Sequence, residues 1–194
     1  MNNCKGLSGS TLKIIAVTTM LTDHIGAGIL GRIITMQGIY SGSVYNVYTV
    51  MRYIGRLAFP IFCFLLVEGF MHTHNVKKYA TRLFVFALIS EIPFDMFVSG
   101  RIVDTSAQNV YFTLFIGLLT IIVIDWIKGV RKIDKSHSTI KWLLASLIKC
   151  IVMMAVILIM MILAEFVVCS DYGAAGIGCI VIMYLLMADR ELAF

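Results

Sequence analysis

Residues 11–31 read TLKIIAVTTMLTDHIGAGILG, an apolar run long enough to cross a bilayer but interrupted near its middle by Asp23 and His24. A crossing helix needs about 20 predominantly apolar residues. An ionisable side chain held in hydrocarbon costs at least about 3 kcal/mol and survives where it faces a cavity or another helix. The stretch therefore predicts a membrane-spanning helix and, with it, a polar interior for that helix to face.

The rest of the chain agrees. Of its 194 residues 60% are hydrophobic and 14% charged, with a mean hydropathy of +0.93, whereas soluble domains are about half apolar and a quarter charged. The composition predicts an all-α, polytopic membrane helical bundle. Two prolines and the lack of a low-complexity linker predict one integral membrane domain over residues 1–194. Six runs qualify as spans: Leu12–Gly31, Met51–Met71, Leu83–Val98, Val110–Ile127, Cys150–Val168 and Tyr172–Ala188. The piece TIKWLLASLIK before the fifth run either lies in the interface, with Trp142 at headgroup depth, or extends that helix. The first run lacks a cleavage site and is expected to be retained. The chain stops at Phe194 just after DRE, which leaves room for later helices.

The five cysteines (Cys4, Cys63, Cys150, Cys169, Cys179) show no metal-ligand spacing and fit small hydrophobes rather than a disulfide framework. His72 and His74, two residues apart, do not align on a helix and read as loop residues, so no metal is expected. Placing the N-terminus in the cytoplasm puts twelve Lys and Arg on the inner side and four (Arg32, Arg52, Arg56, Arg101) on the outer, a strong positive-inside bias. Topology thus accounts for the net charge of +5, and no motif points to nucleic acid.

At about 1.5 Å per helical residue, His24 lies about 18 Å from the inner edge, and Asp95 on the third span reaches the same height. Arg56 on the second and Glu165 on the fifth lie about 8 Å below the outer face. Gln108, Asn109, Asp171 and Tyr172 sit at the outer mouth, and Glu91 lies one turn deeper than Asp95 on the same face. Structural ion pairing, Asp95 with Arg56 and Asp23 with a neighbouring helix, is one account. A cluster of histidine, carboxylates and arginine at one depth favours a functional site. The methionines Met153, Met154, Met160 and Met161 read as packing, and Ala174 with Gly178 as a close helix approach.

The blocks LKIIAVTTMLTDHIGAG, RYIGRLAFPIFCFLLVEGF, HTHNVKKYATRLFVFALISEIPFD, QNVYFTLFIGLL and DYGAAGIGCIVIMYLL, in this order over about residues 11–190, resemble the TraX family. That bacterial inner-membrane family is named for the conjugation protein required to acetylate the amino terminus of F-type pilin. More distantly, the chain resembles transmembrane acyltransferases with an Arg/Lys-x10-His signature, matched here by Lys13 and His24. Eleven residues turn a helix about 20° beyond three full turns, so both side chains lie on one stripe about 16 Å apart along the axis.

The resemblance implies transfer of an acetyl or other acyl group from cytoplasmic acetyl-CoA or acyl-CoA to an amine or hydroxyl, on a pilin-like protein or an envelope glycan. Histidine suits the base that deprotonates the acceptor, which assigns His24 as base or transient acyl carrier. Asp95 first and Glu91 second would orient it, because the neighbouring Asp23 diverges by about 100°. Arg56 would stabilise developing negative charge or neutralise the carboxylates. Lys13, Lys77 and Lys78 would contact donor phosphates, and Glu68 would bound the donor entrance or cap its helix. Gln108 and Asn109 would line the acceptor mouth, with Glu165, Asp171 and Tyr172 across from them. A proton-coupled transporter and a non-catalytic membrane subunit of a pilus or secretion assembly are the competing readings.

Overall fold

The computed structural model describes residues 8–98, 100–102, 104, 106–129 and 139–191. Cys4, Lys5, Arg131, Lys132 and Lys135 lie outside the described residues. Among the described residues, regular structure is helical apart from one backbone bridge between Gln108 and Ser170. The elements are α1 (Gly9–Ile25), a π-helical turn (Gly26–Leu30), α2 (Gly31–Gln37), α3 (Ser43–Arg56), α4 (Ala58–His72) and α5 (Val76–Val98). They continue with α6 (Val110–Gly129), α7 (Thr139–Ile162), a second π-helical turn (Leu163–Val167) and α8 (Gly173–Glu191).

Among the described residues, four helical stretches are long and apolar enough to cross a membrane: Gly9–Gln37, Ser43–His72, Val110–Gly129 and Leu143–Val167. Gly173–Ala188 is a shorter apolar helix. These correspond to five of the six expected spans, and the chain is an all-helical membrane protein. The expected third span lies in α5, which is interrupted by Lys77, Lys78, Arg82, Glu91 and Asp95 and is not among the four. The segment before the fifth run extends its helix, since α7 begins at Thr139.

Local chemistry sets the boundaries. Ser8 caps α1 by accepting the Thr11 N–H at 3.2 Å, and Asn75 caps α5 by accepting that of Lys78 at 2.9 Å. Gly38, at φ +65°, closes α2 in the left-handed conformation. Pro60 cannot donate to the Arg56 carbonyl, and the chain breaks there, with Leu57 N–H bonded to Ile54 O at 3.1 Å. The second expected span therefore begins eight residues earlier than its apolar run, because the polar helix α3 precedes the proline. Pro93 sits inside α5. Threonine hydroxyls return to carbonyls four residues back at Thr19, Thr22, Thr35, Thr49, Thr81 and Thr120, satisfying groups that lipid could not.

The chain divides into two compact units, one up to Gly69 and one from Phe70, with the division inside α4. In the first, α1 and its π-turn pack on α3. In the second, α6 is central and packs against α5, α7 and α8. Leu118, Ile121 and Ile124 of α6 and Ile177 and Ile180 of α8 form its core. Gly117 admits Ile180, because a Cβ there would overlap the isoleucine's Cδ1. Most apolar side chains of α7, among them Leu147, Ile151, Leu158 and Ile159, are exposed on this chain. That is the pattern of a helix solvated by lipid tails.

Candidate functional site

In the first unit α1 is regular α-helix from Lys13 to His24, so the eleven-residue stripe is intact. Lys13 is exposed and His24 half-buried. His24 Nδ1 lies 2.8 Å from the Met20 carbonyl, four residues back. A carbonyl only accepts, so Nδ1 carries a proton in this contact. The π-turn begins two residues later, an inserted residue of the kind that often marks functional positions in helices.

Asp23 turns instead to α3, where its Oδ2 meets the Arg52 guanidinium at 2.5 Å. Its Oδ1 is buried without a hydrogen-bond partner among the described residues. Gly55 makes this seat, since a Cβ there would overlap Asp23 Cβ and lie 2.5 Å from Oδ1. The neighbouring helix that Asp23 pairs with is thus α3, and Arg52 supplies the cation. The signal for it was the spacing of Arg52 and Arg56 at i, i+4 on a helix that starts at Ser43. Arg56 is exposed and Glu68 half-buried on α4.

In the second unit several predicted polar groups gather where α5 ends and α6 begins. Asn109 is 3% exposed and immediately precedes α6, where its Oδ1 accepts the Tyr111 N–H at 2.9 Å. Its amide donates to the Ala87 carbonyl at 2.9 Å and to Glu91 Oε2, which also accepts the Asn109 backbone N–H at 3.2 Å. Glu91 Oε1 is a second buried carboxylate oxygen without a partner among the described residues. Asp95 is 2% exposed and accepts the Asp104 N–H at 2.8 Å, fixing the loop after α5.

The segments before α6 and before α8 are joined through their backbones. Gln108 N–H donates to Cys169 O and Asp171 N–H to Gln108 O, each at 3.0 Å, which sets Gln108 across from Asp171. Tyr172 N–H reaches Thr113 Oγ1 at 3.4 Å. Glu165, in the second π-turn, accepts the Ala174 N–H at 2.9 Å and so sits on the N-terminus of α8.

At the other end of this unit lies a second set of polar groups, at the ends of α6 and α8. The Tyr184 hydroxyl donates to Asp125 Oδ1 at 2.7 Å, and Lys128 Nζ stands 4.9 Å from the Tyr184 ring centre. Asp125 and Lys128, three apart at the end of a span, were the sequence signal. Lys77 and Lys78 are exposed in the first turn of α5. His24, Lys13, Asp23, Arg56 and Glu68 fall in one unit, and the remaining predicted site residues in the other. Among the described residues no group of three or more His, Cys, Asp or Glu is arranged to hold a metal.

Comparison with known proteins matches these observations to a family. A protein named "Probable fimbrial assembly protein FimC, serogroup H1", from Dichelobacter nodosus, is 32% identical over 123 residues. The match covers 60% of this chain and 46% of that protein, so the chain matches about half of its curated relative's length. No solved structure matches the chain. The model of the family described as TraX protein matches residues 8–194, and the chain belongs to that family.

Proposed function

We propose that the protein is an acyltransferase of the bacterial inner membrane, moving an acetyl or other acyl group from cytoplasmic acyl-CoA to an amine or hydroxyl. The observation that carries this reading is the His24 imidazole. It sits within a membrane helix, its Nδ1 against the Met20 carbonyl, on one stripe with Lys13 and just ahead of a π-turn. In the reaction Nε2 removes the acceptor proton as the acceptor nitrogen or oxygen bonds to the thioester carbonyl carbon. The carbon–sulfur bond then breaks, and the thiolate takes the proton back from the imidazolium, so acylated acceptor and free thiol result. Arg56, in the same unit as His24, stabilises the carbonyl oxygen as charge develops. Lys77 and Lys78, exposed at the start of α5, serve the donor phosphates. Gln108, Asn109, Glu165, Asp171 and Tyr172 receive the acceptor, a pilin-like N-terminus or an envelope glycan.

The direct test compares processed surface proteins and envelope polymers, by mass spectrometry, from cells with the wild-type gene and with His24→Ala. The acyl group should be missing in the variant while the protein remains inserted. An acylation pattern that is the same in both strains overturns the reading.

A second reading has specific support. The Dichelobacter relative is named for fimbrial assembly, and the Asp23–Arg52 pair joins two helices as a purely structural pair would. As a non-catalytic assembly component, the chain would lose pili on substitution of His24, with no change in acylation.

A further inference from the structure

Within the second unit, the last residues of α4, the start of α5 and the ends of α6 and α8 surround a cavity of about 550 Å³. Its size falls in the range of small-molecule sites, about 300–1,000 Å³. The wall combines three chemistries. Phe70 and Tyr184 form an edge-to-face aromatic pair at 5.9 Å. The Tyr184 hydroxyl and Asp125 carboxylate form a polar strip, joined at 2.7 Å. Lys128 supplies a cation against the Tyr184 ring. Val76 brings the start of α5 to the rim, and the exposed Lys77 and Lys78 follow it directly. By the distribution of Lys and Arg this end of the unit is cytoplasmic.

Neither an apolar tail nor a bare phosphate uses all of these groups. A lipid tail has no use for Asp125, and a phosphate alone would be repelled by it. A chain carrying amide and hydroxyl groups, ending in a phosphate, uses each: N–H and O–H donors meet Asp125, the chain lies along the aromatic wall, and the phosphate meets Lys128. From this we infer that the cavity binds the phosphopantetheine arm of the acyl donor, carried on coenzyme A or on an acyl carrier protein. The inference rests on the acyltransferase reading above and adds to it a donor site made of Asp125, Lys128 and Tyr184.

The test is equilibrium binding of labelled acetyl-CoA to the full chain in phosphatidylcholine nanodiscs. Wild type and Met36→Ala, altered at an exposed position of the first unit, should bind saturably and alike. Lys128→Glu, and Thr73→Trp at the cavity wall, should each raise Kd at least tenfold, and Lys128→Arg should restore binding. S-acetylpantetheine, which lacks the phosphate, should bind more weakly and be indifferent to Lys128→Glu. Acetylated carrier protein, run in parallel, reports which source delivers the arm, and Lys128-dependent binding of either supports the inference. Unchanged Kd in Lys128→Glu and Thr73→Trp overturns the site but leaves the donor reading standing. If wild type takes up neither donor, both fall. Full displacement of acetyl-CoA in phosphatidylglycerol discs would assign the cavity to a lipid headgroup and overturn the inference.

Discussion

Asp23 on α1 and Arg52 on α3 meet at 2.5 Å through one carboxylate oxygen, while the other is buried against Gly55. The pair is one-sided. Arg52 neutralises the carboxylate's charge, but the second oxygen gains nothing from the protein around it, and such a group costs free energy when dry. The glycine sets the distance between the two helices.

Gly55→Ala should therefore destabilise the first unit, although alanine is the better helix former by about 1 kcal/mol. The added methyl meets Asp23 Cβ, which is anchored to its own backbone and cannot swing aside. Overpacking of this kind costs about 1–3 kcal/mol, read as a lower midpoint of thermal unfolding in detergent. Asp23→Ala in the same background keeps that Cβ and should leave this overlap in place, so it should not restore the midpoint.

His24→Ala should reduce acyl transfer by about 10²–10⁴-fold, the usual contribution of a positioned general base. Membrane insertion should be retained, because the substitution leaves the long apolar stretch Gly9–Gln37 in place. Radiolabelled acyl transfer in membranes, normalised to the amount of protein, measures both.

Much of this was legible in the sequence where physics acts locally. Run length and composition identified the helical membrane class, and the i, i+11 arithmetic placed Lys13 and His24 on one stripe because α1 is regular between them. The divergence of Asp23 from His24 followed in the same way. Helix starts were less legible: α3 opens with polar residues and is ended by Pro60, so an apolar threshold located only its continuation. Partner choice was hidden, since the Asp23–Arg52 pair and the Gly55 contact beside it exist only after the helices pack. The Asp125–Tyr184 pair spans 59 residues and escaped a reading organised by membrane depth.

Asn109 performs two tasks, capping α6 and holding Glu91, so Asn109→Ala should cost more than an ordinary cap. Loss of the cap contributes about 1 kcal/mol, and the partly stranded Glu91 carboxylate adds about 1–3 kcal/mol. Glu91→Gln in the Asn109→Ala background should recover part of the second component, because an uncharged amide is less costly to strand. Guanidinium or thermal unfolding of the four variants in a double-mutant cycle measures the coupling.

Glu165 and Gly173 form a comparable pair at the other mouth segment. The carboxylate caps α8 through Ala174 N–H, and a Cβ on residue 173 would overlap that carboxylate. Glu165→Ala removes the cap and should cost about 1 kcal/mol. Gly173→Ala should cost more, because it displaces the carboxylate and also forces a side chain onto a residue at φ +42°, a conformation that costs L-residues about 1–2 kcal/mol. In the double variant the overlap disappears but the backbone strain stays, so the combined loss should be smaller than the sum of the two single losses. A sum that is strictly additive in thermal unfolding would mean that the two residues do not touch, and that Glu165 is held for another purpose.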